Sequence, residues 1–484
     1  MFHPRIILKF LSVLLIFNGA FMCLVLPLAY ADNDGTFLGF VQVILLHALV
    51  GLLLYYFSKN SDARDLRSRD GFIVVTAGWI LMSIFGCLPF LLTGAIPDVT
   101  NAFFETMSGF TTTGASILDD IESLPRSVLL WRSLTQWIGG MGIIVLAVAI
   151  LPILGIGSTQ LFSAEAPGLK ADKIKPRIAD TAKRLWFIYM GLTLAETVLL
   201  WIGGMTPFDA LNHSLTTLST GGFSTKQASI AHWDSAYIQY VITLFMFLGG
   251  TNFILIYWLI QAKFHKLIEN EEFRFYGSLT LLFSVLVAIA LFVKGTFPAE
   301  ESFRYAIFQV VSIVTTTGFA TADYCHWGWG LTMFFFLLLF AGGSAGSTAG
   351  GVKMIRHLIL FKNSGGELKR QLHPNAIIPV RVDGKVISLE TISSVLAFII
   401  FYVILFALGS ILIAAMGIEF DTAIGAVATS LGNTGPGIGM VSPSYSFNFL
   451  PAAAKWELSF LMLIGRLELF TVLLLFSPYF WRKS

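Results

Sequence analysis

Charged residues are scarce in this chain of 484 residues. They make up 12% of the sequence, whereas hydrophobic residues make up 56%. A soluble domain carries about 25% charged residues, so this chain has too few to cover a water-facing surface of its size. Apolar runs of about 20 residues, the length that crosses a bilayer, recur from one end to the other. The sequence therefore predicts a polytopic membrane protein. Its net charge of +2 is close to balanced and says little about partners, and we expect no nucleic-acid partner.

Cysteine pairs and catalytic signatures are also lacking. Cys23, Cys87 and Cys325 are far apart, with no CxxC and no Cys/His ligand spacing, which indicates neither a disulfide framework nor a zinc site. We expect Cys23 and Cys87 to be buried packing residues. The histidines and serines form no HExxH or GxSxG pattern, so the sequence does not indicate an enzyme and offers no catalytic residue.

The N-terminus and the loop charges predict the orientation. The apolar run over residues 6–28 is longer than the roughly 7–15 residues of a signal-peptide core, so we expect a retained helix, with cleavage after Ala31 as the less favoured alternative. If the N-terminus is cytoplasmic, the inward segments hold 24 of the 31 lysines and arginines, as the positive-inside rule requires. Those segments are residues 1–9, 58–70, 158–185, 262–275 and 353–385 and the C-terminal WRKS.

Ten apolar segments are predicted as membrane-spanning helices. They cover residues 6–30, 36–57, 72–93, 127–156, 185–204, 235–262, 275–295, 328–360, 390–416 and 455–480. Shorter segments lie between the members of the last four pairs, on the outer side, and each contains a half-length helix followed by a Thr/Gly turn. They cover residues 100–126, 207–234, 300–327 and 420–454.

The four shorter segments align on one glycine each. An alanine precedes that glycine by 12 residues, a hydroxyl residue by six and a large apolar residue by four. The glycines are Gly114, Gly222, Gly318 and Gly435. Such agreement indicates a fourfold internal repeat. We therefore predict an all-α polytopic membrane protein, in which four tandem helix–re-entrant loop–helix repeats surround a central pore and two N-terminal helices precede them.

The repeat divides the chain into seven parts. They are a two-helix extension (1–70), the first repeat (71–157), a cytoplasmic linker (158–184), the second repeat (185–262), the third repeat (273–360), another cytoplasmic linker (361–387) and the fourth repeat (388–484).

The four turns are suited to a cation path. Non-helical backbone at membrane depth is tolerated only where it is buried in protein or lines a watery cavity. Four such turns on one axis would replace an ion's hydration shell with backbone carbonyls, and the short helices would aim their negative ends at the cavity. The turns carry no carboxylate, which favours a weakly hydrated monovalent cation. The predicted ion-binding residues are Thr111, Thr112, Thr113, Gly114, Ser219, Thr220, Gly221, Gly222, Thr315, Thr316, Thr317, Gly318, Gly432, Asn433, Thr434 and Gly435.

These turns, TTTGAS, TGGFST, TTTGFATAD and GNTGPGIG, resemble the filter loops of the TrkH/KtrB/HKT superfamily of potassium transporters, most closely its bacterial TrkH branch. The resemblance covers essentially the whole chain and implies a potassium selectivity filter; relatives with serine in the first loop tend to favour sodium, so Gly114 implies potassium. It further implies a bacterial inner-membrane location and a homodimer with one pore per subunit. A separate cytoplasmic RCK protein of the TrkA type would bind nucleotide, whereas this chain would bind only the transported K⁺.

A glycine-rich run interrupts the helix after the third turn. AGGSAGSTAGG, residues 341–351, cannot form a comfortable helix, because each glycine costs about 1 kcal/mol relative to alanine. The pattern GxxxxGK[ST] is not met, which excludes a phosphate-binding loop. Close packing of small residues is one interpretation. The family resemblance implies an intramembrane gate, which we favour. The predicted gate glycines are Gly342, Gly343, Gly346, Gly350 and Gly351.

Arg466 lies deep in the last predicted span, where a charge costs at least about 2.5–3.5 kcal/mol. A structural ion pair with Glu468 or Glu196 is one interpretation, although Glu468 is two positions along the chain and so on a different helical face. The family resemblance implies an arginine beneath the filter that repels cations from the closed pore. We favour that role and count Arg466 as part of the gate.

Weaker signals are interpreted as structural. Glu105, His213 and Gln309 occupy equivalent positions in the short helices, where we expect hydrogen bonding. Glycines that follow each turn glycine by 24 to 30 residues are expected to be kinks or close-packing points. The acidic run LDDIESLP would concentrate cations at the outer mouth, but a solvated loop is the commoner case. The alternative function is a proton- or sodium-coupled transporter of a small solute, which four parallel repeats fit poorly.

Overall fold

Long apolar helices form the frame of the protein. The structure is a computed structural model that describes residues 3–59, 68–145 and 178–482. Within those residues, six helical segments are long and apolar enough to cross a membrane, and two further pairs of helices pass the same test with a sharp bend between their members. The prediction of a helical polytopic membrane protein is confirmed. Most of the predicted linker 158–184 and the end of the predicted span 127–156 lie outside the described residues.

The helices follow the predicted order of spans and short segments. They are α1 (Pro4–Met22), α2 (Leu26–Asp32), α3 (Phe37–Ser58), α4 (Ser68–Gly86), α5 (Leu88–Leu92), α6 (Val99–Phe110), α7 (Arg126–Val145), α8 (Ile178–Ile202), α9 (Pro207–Leu218), α10 (Ala236–Gly249), α11 (Phe253–Ile260), α12 (His265–Glu269), α13 (Glu271–Val293), α14 (Ala299–Val314), α15 (Trp329–Leu338), α16 (Met354–Leu372), α17 (Leu389–Ala415), α18 (Phe420–Gly432), α19 (Ala452–Arg466), α20 (Phe470–Phe476) and α21 (Pro478–Trp481). Three short 3₁₀ turns cover Ser229–His232, Tyr324–Trp327 and Gly439–Val441.

Two spans that the sequence predicts as continuous are broken. Between α10 and α11 the axis bends by 112°, and between α19 and α20 it bends by 117°. The first break follows two glycines, and Asn252 caps the new helix by accepting a hydrogen bond from the Ile254 N–H at 2.8 Å. At the second break, Glu468 and Leu469 have φ values of 57° and 46°, which no α-helix contains.

A small hairpin lies in the predicted linker 361–387. Strands β1 (Arg381–Val382) and β2 (Lys385–Val386) pair antiparallel. Asp383 and Gly384 form the turn, both with positive φ, as a two-residue hairpin of the commonest type requires. The all-α prediction therefore describes the membrane part and missed this element, because an Asp-Gly turn between two-residue strands gives too short a pattern.

The prediction for the cysteines is half correct. Cys87 is buried, whereas Cys23 is exposed and Cys325 is intermediate, and all three thiols are free. Cys23 lies between α1 and α2. Its thiol donates to the Gly19 carbonyl at 3.5 Å, and its expected burial is wrong.

The four short helices α6, α9, α14 and α18 occupy the interior of the molecule. The aligned alanines are completely buried, and so are the hydroxyl residues six positions before each turn glycine. These residues are Ala102, Ala210, Ala306, Ala423, Ser108, Thr216, Ser312 and Thr429. The longer helices shield this inner set, so the ends of the short helices are held deep inside the protein.

Candidate functional site

Each short helix ends in the same left-handed cap. At the end of α6, the Thr113 N–H donates to the Ser108 carbonyl at 2.8 Å, and the Thr112 N–H donates to the Gly109 carbonyl at 2.9 Å. This pair of bonds is the Schellman motif, which places a left-handed residue just after the helix. The equivalent residues have φ between 51° and 55°. They are Thr112, Thr220, Thr316 and Asn433.

Three of these left-handed residues are threonines, an unfavourable choice for that backbone. Glycine usually fills the position, and a left-handed conformation costs an L-residue about 1–2 kcal/mol. The turn glycine two positions later also has a positive φ, between 75° and 94° in the four repeats. Strain that persists in this way is concentrated at functional sites, so the four turns are the candidate site.

The four turns form a closed ring. We call them the first to fourth ring turns: residues 111–114, 219–222, 315–318 and 432–435. A Cβ built on each turn glycine would lie no more than 2.8 Å from a backbone carbonyl oxygen of the next ring turn. The pairs are Gly114 with Gly221, Gly222 with Thr317, Gly318 with Thr434, and Gly435 with Thr113. Because the fourth turn returns to the first, the sequence-predicted ion-binding residues surround a common axis.

Hydroxyl and amide side chains stabilise the ring from within. Thr111 and Thr113 share a hydrogen bond of 2.8 Å between their hydroxyls, and Thr315 and Thr317 share an equivalent one. Asn433 donates to the Thr113 hydroxyl at 3.0 Å, which joins the fourth turn to the first. The threonine side chains therefore brace the turns as well as offering oxygen atoms.

The second ring turn has a support that the sequence did not reveal. Gln136, which is completely buried in α7, donates to the Gly221 carbonyl at 2.6 Å and accepts from the Phe223 N–H at 3.0 Å. This turn reads STGG, so it lacks the threonine pair that braces the first and third turns. A polar residue in a predicted span was the only available signal, and it did not indicate a partner 85 residues away.

The equivalent residues of the short helices hold the chain that leaves each turn. Glu105 accepts from the Ile117 N–H at 2.9 Å and from Arg132 Nε at 2.6 Å. His213 bonds the Ser224 hydroxyl at 2.9 Å, and Gln309 donates to the Ala322 carbonyl at 2.6 Å. Their predicted structural role is confirmed.

Glycines of the longer helices let those helices approach the ring. A Cβ on Gly139 would collide with the Phe110 carbonyl, and one on Gly465 would collide with the Leu431 carbonyl. On Gly249, a Cβ would lie 3.3 Å from the Leu218 carbonyl. These carbonyls belong to the last residues before the ring turns, so the glycines are close-packing points, as predicted.

A cavity lies on one side of the ring. It is lined by the four turn glycines and by the segments that follow them. The acidic residues expected at the outer mouth do not line it: Asp119 binds Asn448 at 2.6 Å, and Glu122 accepts from the Gln227 N–H at 3.3 Å. We call this cavity the vestibule. It leads to the ring from the side of the chain segments that follow the turns.

The glycine-rich segment lies against the other side of the ring. Its Thr348 hydroxyl donates to the Leu218 carbonyl at 2.9 Å and to the Gly249 carbonyl at 3.0 Å. The Gly350 N–H donates to the Thr316 hydroxyl at 2.6 Å. A Cβ on Gly350 would lie 2.7 Å from the Gly432 carbonyl. Residues 341–351 therefore contact three of the four repeats directly beneath the ring turns.

The predicted gate glycines shape this segment. Gly346 and Gly351 have φ values of 72° and 63°, which favour glycine. At Gly342 a Cβ would meet the Gly350 carbonyl, and at Gly343 it would lie 2.7 Å from the Gly250 carbonyl. The run is thus a tightly folded loop, and the interpretation as helix-to-helix packing does not describe it.

Arg466 connects this loop to the first repeat. Its guanidinium donates to the Thr348 carbonyl at 2.7 Å and to the Gly139 carbonyl at 3.3 Å. Neither ion pair considered from the sequence is formed, since Glu468 pairs with Arg356 at 2.6 Å and Arg466 hydrogen-bonds carbonyls rather than Glu196. Arg466 is buried, with 3% exposure, so its positive charge lies beneath the ring, and no carboxylate among the described residues is bonded to it.

Comparison with known proteins agrees with this architecture. The TrkH family model, described as a cation transport protein, matches residues 37–483. The Trk system potassium uptake protein TrkH of Escherichia coli is 40% identical over 99% of this chain and 100% of its own length. The Trk system potassium uptake protein TrkG of the same organism is 38% identical over 95% of this chain and 94% of its own length.

A solved structure shows the same fold. The crystal structure of the potassium transporter TrkH from Vibrio parahaemolyticus superposes with a TM-score of 0.91 at 37% identity, and the match covers 99% of this chain and 100% of that one. These relatives are uptake proteins and not enzymes, in agreement with the absence of catalytic motifs. The chain belongs to the TrkH family of cation transport proteins.

Proposed function

We propose that this protein takes up potassium across the bacterial inner membrane through the ring of four turns. The observation that carries the proposal is the closed ring, in which each turn glycine lies against a carbonyl of the next turn. The relatives that match the full chain are named potassium uptake proteins, and the structural neighbour is a potassium transporter.

The chemistry of the ring suits K⁺. Its oxygens belong to backbone carbonyls and to threonine and serine hydroxyls, and none of the ring turns contains a carboxylate. The C-terminal ends of the four short helices, which carry partial negative charge, point toward the ring. Several neutral oxygens together can replace the hydration shell of a weakly hydrated ion, as the carbonyl oxygens of potassium channels do. The ion would be held by residues of all four ring turns, from Thr111 to Gly435.

Beneath the ring, the glycine-rich loop and Arg466 would act as the gate. The loop is seated by the hydroxyls of Thr348 and Thr316, and Arg466 donates to the loop's Thr348 carbonyl. A positive charge at this point opposes a cation that leaves the ring. Movement of the loop would displace Arg466 at the same time, because the two are hydrogen-bonded.

The proposal includes orientation, assembly and regulation. The basic segments between spans face the cytoplasm together with the N-terminus, as the positive-inside rule requires. The protein would form a homodimer with one pore in each subunit. Its relatives are components of a Trk system, and we propose a cytoplasmic RCK-type partner that binds the nucleotide, with α16 and the β1–β2 hairpin on the side that it would approach.

The experiment is cation flux into liposomes that contain the purified chain. K⁺, Rb⁺, Na⁺ and Li⁺ are compared for the wild type, for Gly318→Ser and for a matched control, Gly330→Ser. A side chain at Gly318 would collide with the Thr434 carbonyl, whereas nothing lies within 4 Å of the Cβ position at Gly330. We expect K⁺ and Rb⁺ preference in the wild type and in the control, and its loss in Gly318→Ser.

Two other outcomes would contradict the proposal. Flux without cation preference in the wild type would mean that the ring turns are structural corners. Flux of an organic solute driven by protons or sodium, with no flux of K⁺ alone, would favour the secondary-transporter alternative instead.

A further inference from the structure

The vestibule contains two basic residues and no acidic ones. Its lining includes Arg132 and Lys226 together with the four turn glycines, and no aspartate or glutamate contributes to it. A cation that enters the ring from outside must cross this space. Rings of aspartate or glutamate attract cations in some channels, whereas the charged residues that line this approach are basic.

Arg132 is electrically compensated. Its Nε lies 2.6 Å from Glu105 Oε1, and both side chains are at most 3% exposed. The guanidinium also donates to the Ser224 carbonyl at 2.9 Å and lies 3.6 Å from the centre of the Phe223 ring. The pair is neutral as a unit, and its contacts brace the chain that leaves the second ring turn.

Lys226 is not compensated in this way. Its side chain is half-buried, and within the part of the chain that the structure describes its ammonium forms no ion pair. Hydrogen bonds hold the backbone at this residue, because the Lys226 N–H donates to the Ser224 hydroxyl at 3.0 Å and the Ser229 N–H donates to the Lys226 carbonyl at 3.0 Å. The carboxylate of Glu122 accepts from the Gln227 N–H at 3.3 Å and does not line the vestibule.

We propose that Lys226 is a specificity-determining residue of the outer mouth, whose ammonium excludes divalent cations from the ring and weakens the entry of K⁺ to a smaller extent. This inference rests on the proposed function, since it concerns ions that approach the same ring. The reason is the dependence of repulsion on charge. The repulsion energy between a lysine ammonium and a divalent cation is twice that for a monovalent one. If the local concentration of the monovalent cation falls by a given factor, that of the divalent cation falls by the square of that factor.

The expected size follows from Coulomb's law. In water, a unit charge about 4 Å from a monovalent ion changes its local concentration by about fivefold, and that of a divalent ion by about 25-fold. Salt weakens the effect over a screening length of about 10 Å at 0.1 M. The neutral carbonyls of the ring disfavour Mg²⁺ and Ca²⁺ because these ions are strongly hydrated, and the lysine adds a discrimination by charge.

The test uses the full chain in liposomes of neutral lipid at low ionic strength. The half-saturating K⁺ concentration and the half-blocking concentration of external Mg²⁺ are measured for the wild type, Lys226→Gln and Lys226→Arg. We expect Lys226→Gln to lower the first by about fivefold and the second by about 25-fold, while Lys226→Arg matches the wild type. If both quantities stay within about twofold of the wild type, or if the two variants shift equally, the inference is wrong.

A second measurement needs no variant. Raising the ionic strength with choline chloride screens Lys226, so the half-saturating K⁺ concentration of the wild type should fall; a rise would indicate an acidic mouth and overturn the inference. The two proposals fail differently. K⁺-selective flux with no effect of Lys226 contradicts only this inference, whereas wild-type flux without cation preference contradicts the proposed function and this inference with it.

Discussion

Thr348→Val tests whether the glycine-rich loop is a gate. Valine keeps the shape of threonine and removes the hydroxyl that donates to the Leu218 and Gly249 carbonyls. The backbone N–H of residue 348 still donates to the Gly249 carbonyl at 3.2 Å, so the Leu218 carbonyl is the group that loses its side-chain donor. The variant therefore weakens the seated position of the loop without altering the ring turns.

The magnitude follows from the burial of these groups. Thr348 is completely buried, and a buried acceptor that loses its partner costs about 1–3 kcal/mol. If the seated loop is the closed state, the ratio of open to closed protein rises by about 5- to 150-fold. Selectivity should be unchanged, because the turn glycines keep their contacts.

The assay is single-channel recording of K⁺ current in planar bilayers. Thr280→Val is the matched control: Thr280 is also buried, but its hydroxyl has no hydrogen-bond partner among the described residues. We expect a higher open fraction in Thr348→Val than in the wild type. The control should have the same open fraction as the wild type. An open-to-closed ratio within about twofold of the wild type, or an equal rise in both variants, would refute the gate.

Three further predictions test other contacts. In the same recordings, Arg466→Gln should raise both the open fraction and the K⁺ current, since it removes the charge beneath the ring. Arg466→Lys should keep the lower current of the wild type. Equal currents in all three proteins would exclude an electrostatic role. Glu105→Gln should lower the free energy of unfolding by about 3–5 kcal/mol, because it leaves Arg132 buried without its carboxylate. An unchanged melting temperature would contradict this. Burial tends to raise the pKa of Asp34, but hydrogen bonds from Ser127 and Thr36 outweigh it and lower the pKa below 3.8. A lowered pKa stabilises the fold above the unfolded-state value, so the stability gap between wild type and Asp34→Asn should close as the pH falls below about 4; a gap that persists in acid would show that the Asp34 charge is irrelevant.

The ring was predictable because its pattern is local and repeated. Each ring turn, its aligned alanine and its preceding hydroxyl lie within one short segment, and four copies reinforce one another. Ala102 and Ser108 are completely buried, as are their counterparts. A repeat of this kind specifies both the end of a helix and the glycine that must lie close to its neighbour.

Features that occur only once were not predictable. Gln136 supports the second ring turn from another helix, and Lys226 has no basic counterpart at the equivalent positions Leu118, Ala322 and Gly439. An alignment of repeats treats such residues as exceptions, and the sequence does not show which distant backbone they contact. Their roles depend on tertiary contacts alone.

The break in the last span had no local signal either. Neither glycine nor proline stands at Glu468 or Leu469, yet both adopt a positive φ. Tertiary contacts explain the break: Gly465 is pressed against the Leu431 carbonyl, and Glu468 is held by Arg356 at 2.6 Å. Packing has overridden local helix propensity here, and the result places Arg466 at the end of its helix, beneath the ring.

The most direct test of the account is to locate ions in crystals of this protein grown with Tl⁺ or Rb⁺ in place of K⁺, by their anomalous scattering. The account predicts peaks on the axis of the ring, coordinated by the carbonyls of Thr113, Gly221, Thr317 and Thr434. Absence of anomalous density within the ring, with the four turns arranged as described, would contradict the claim that they form a potassium filter.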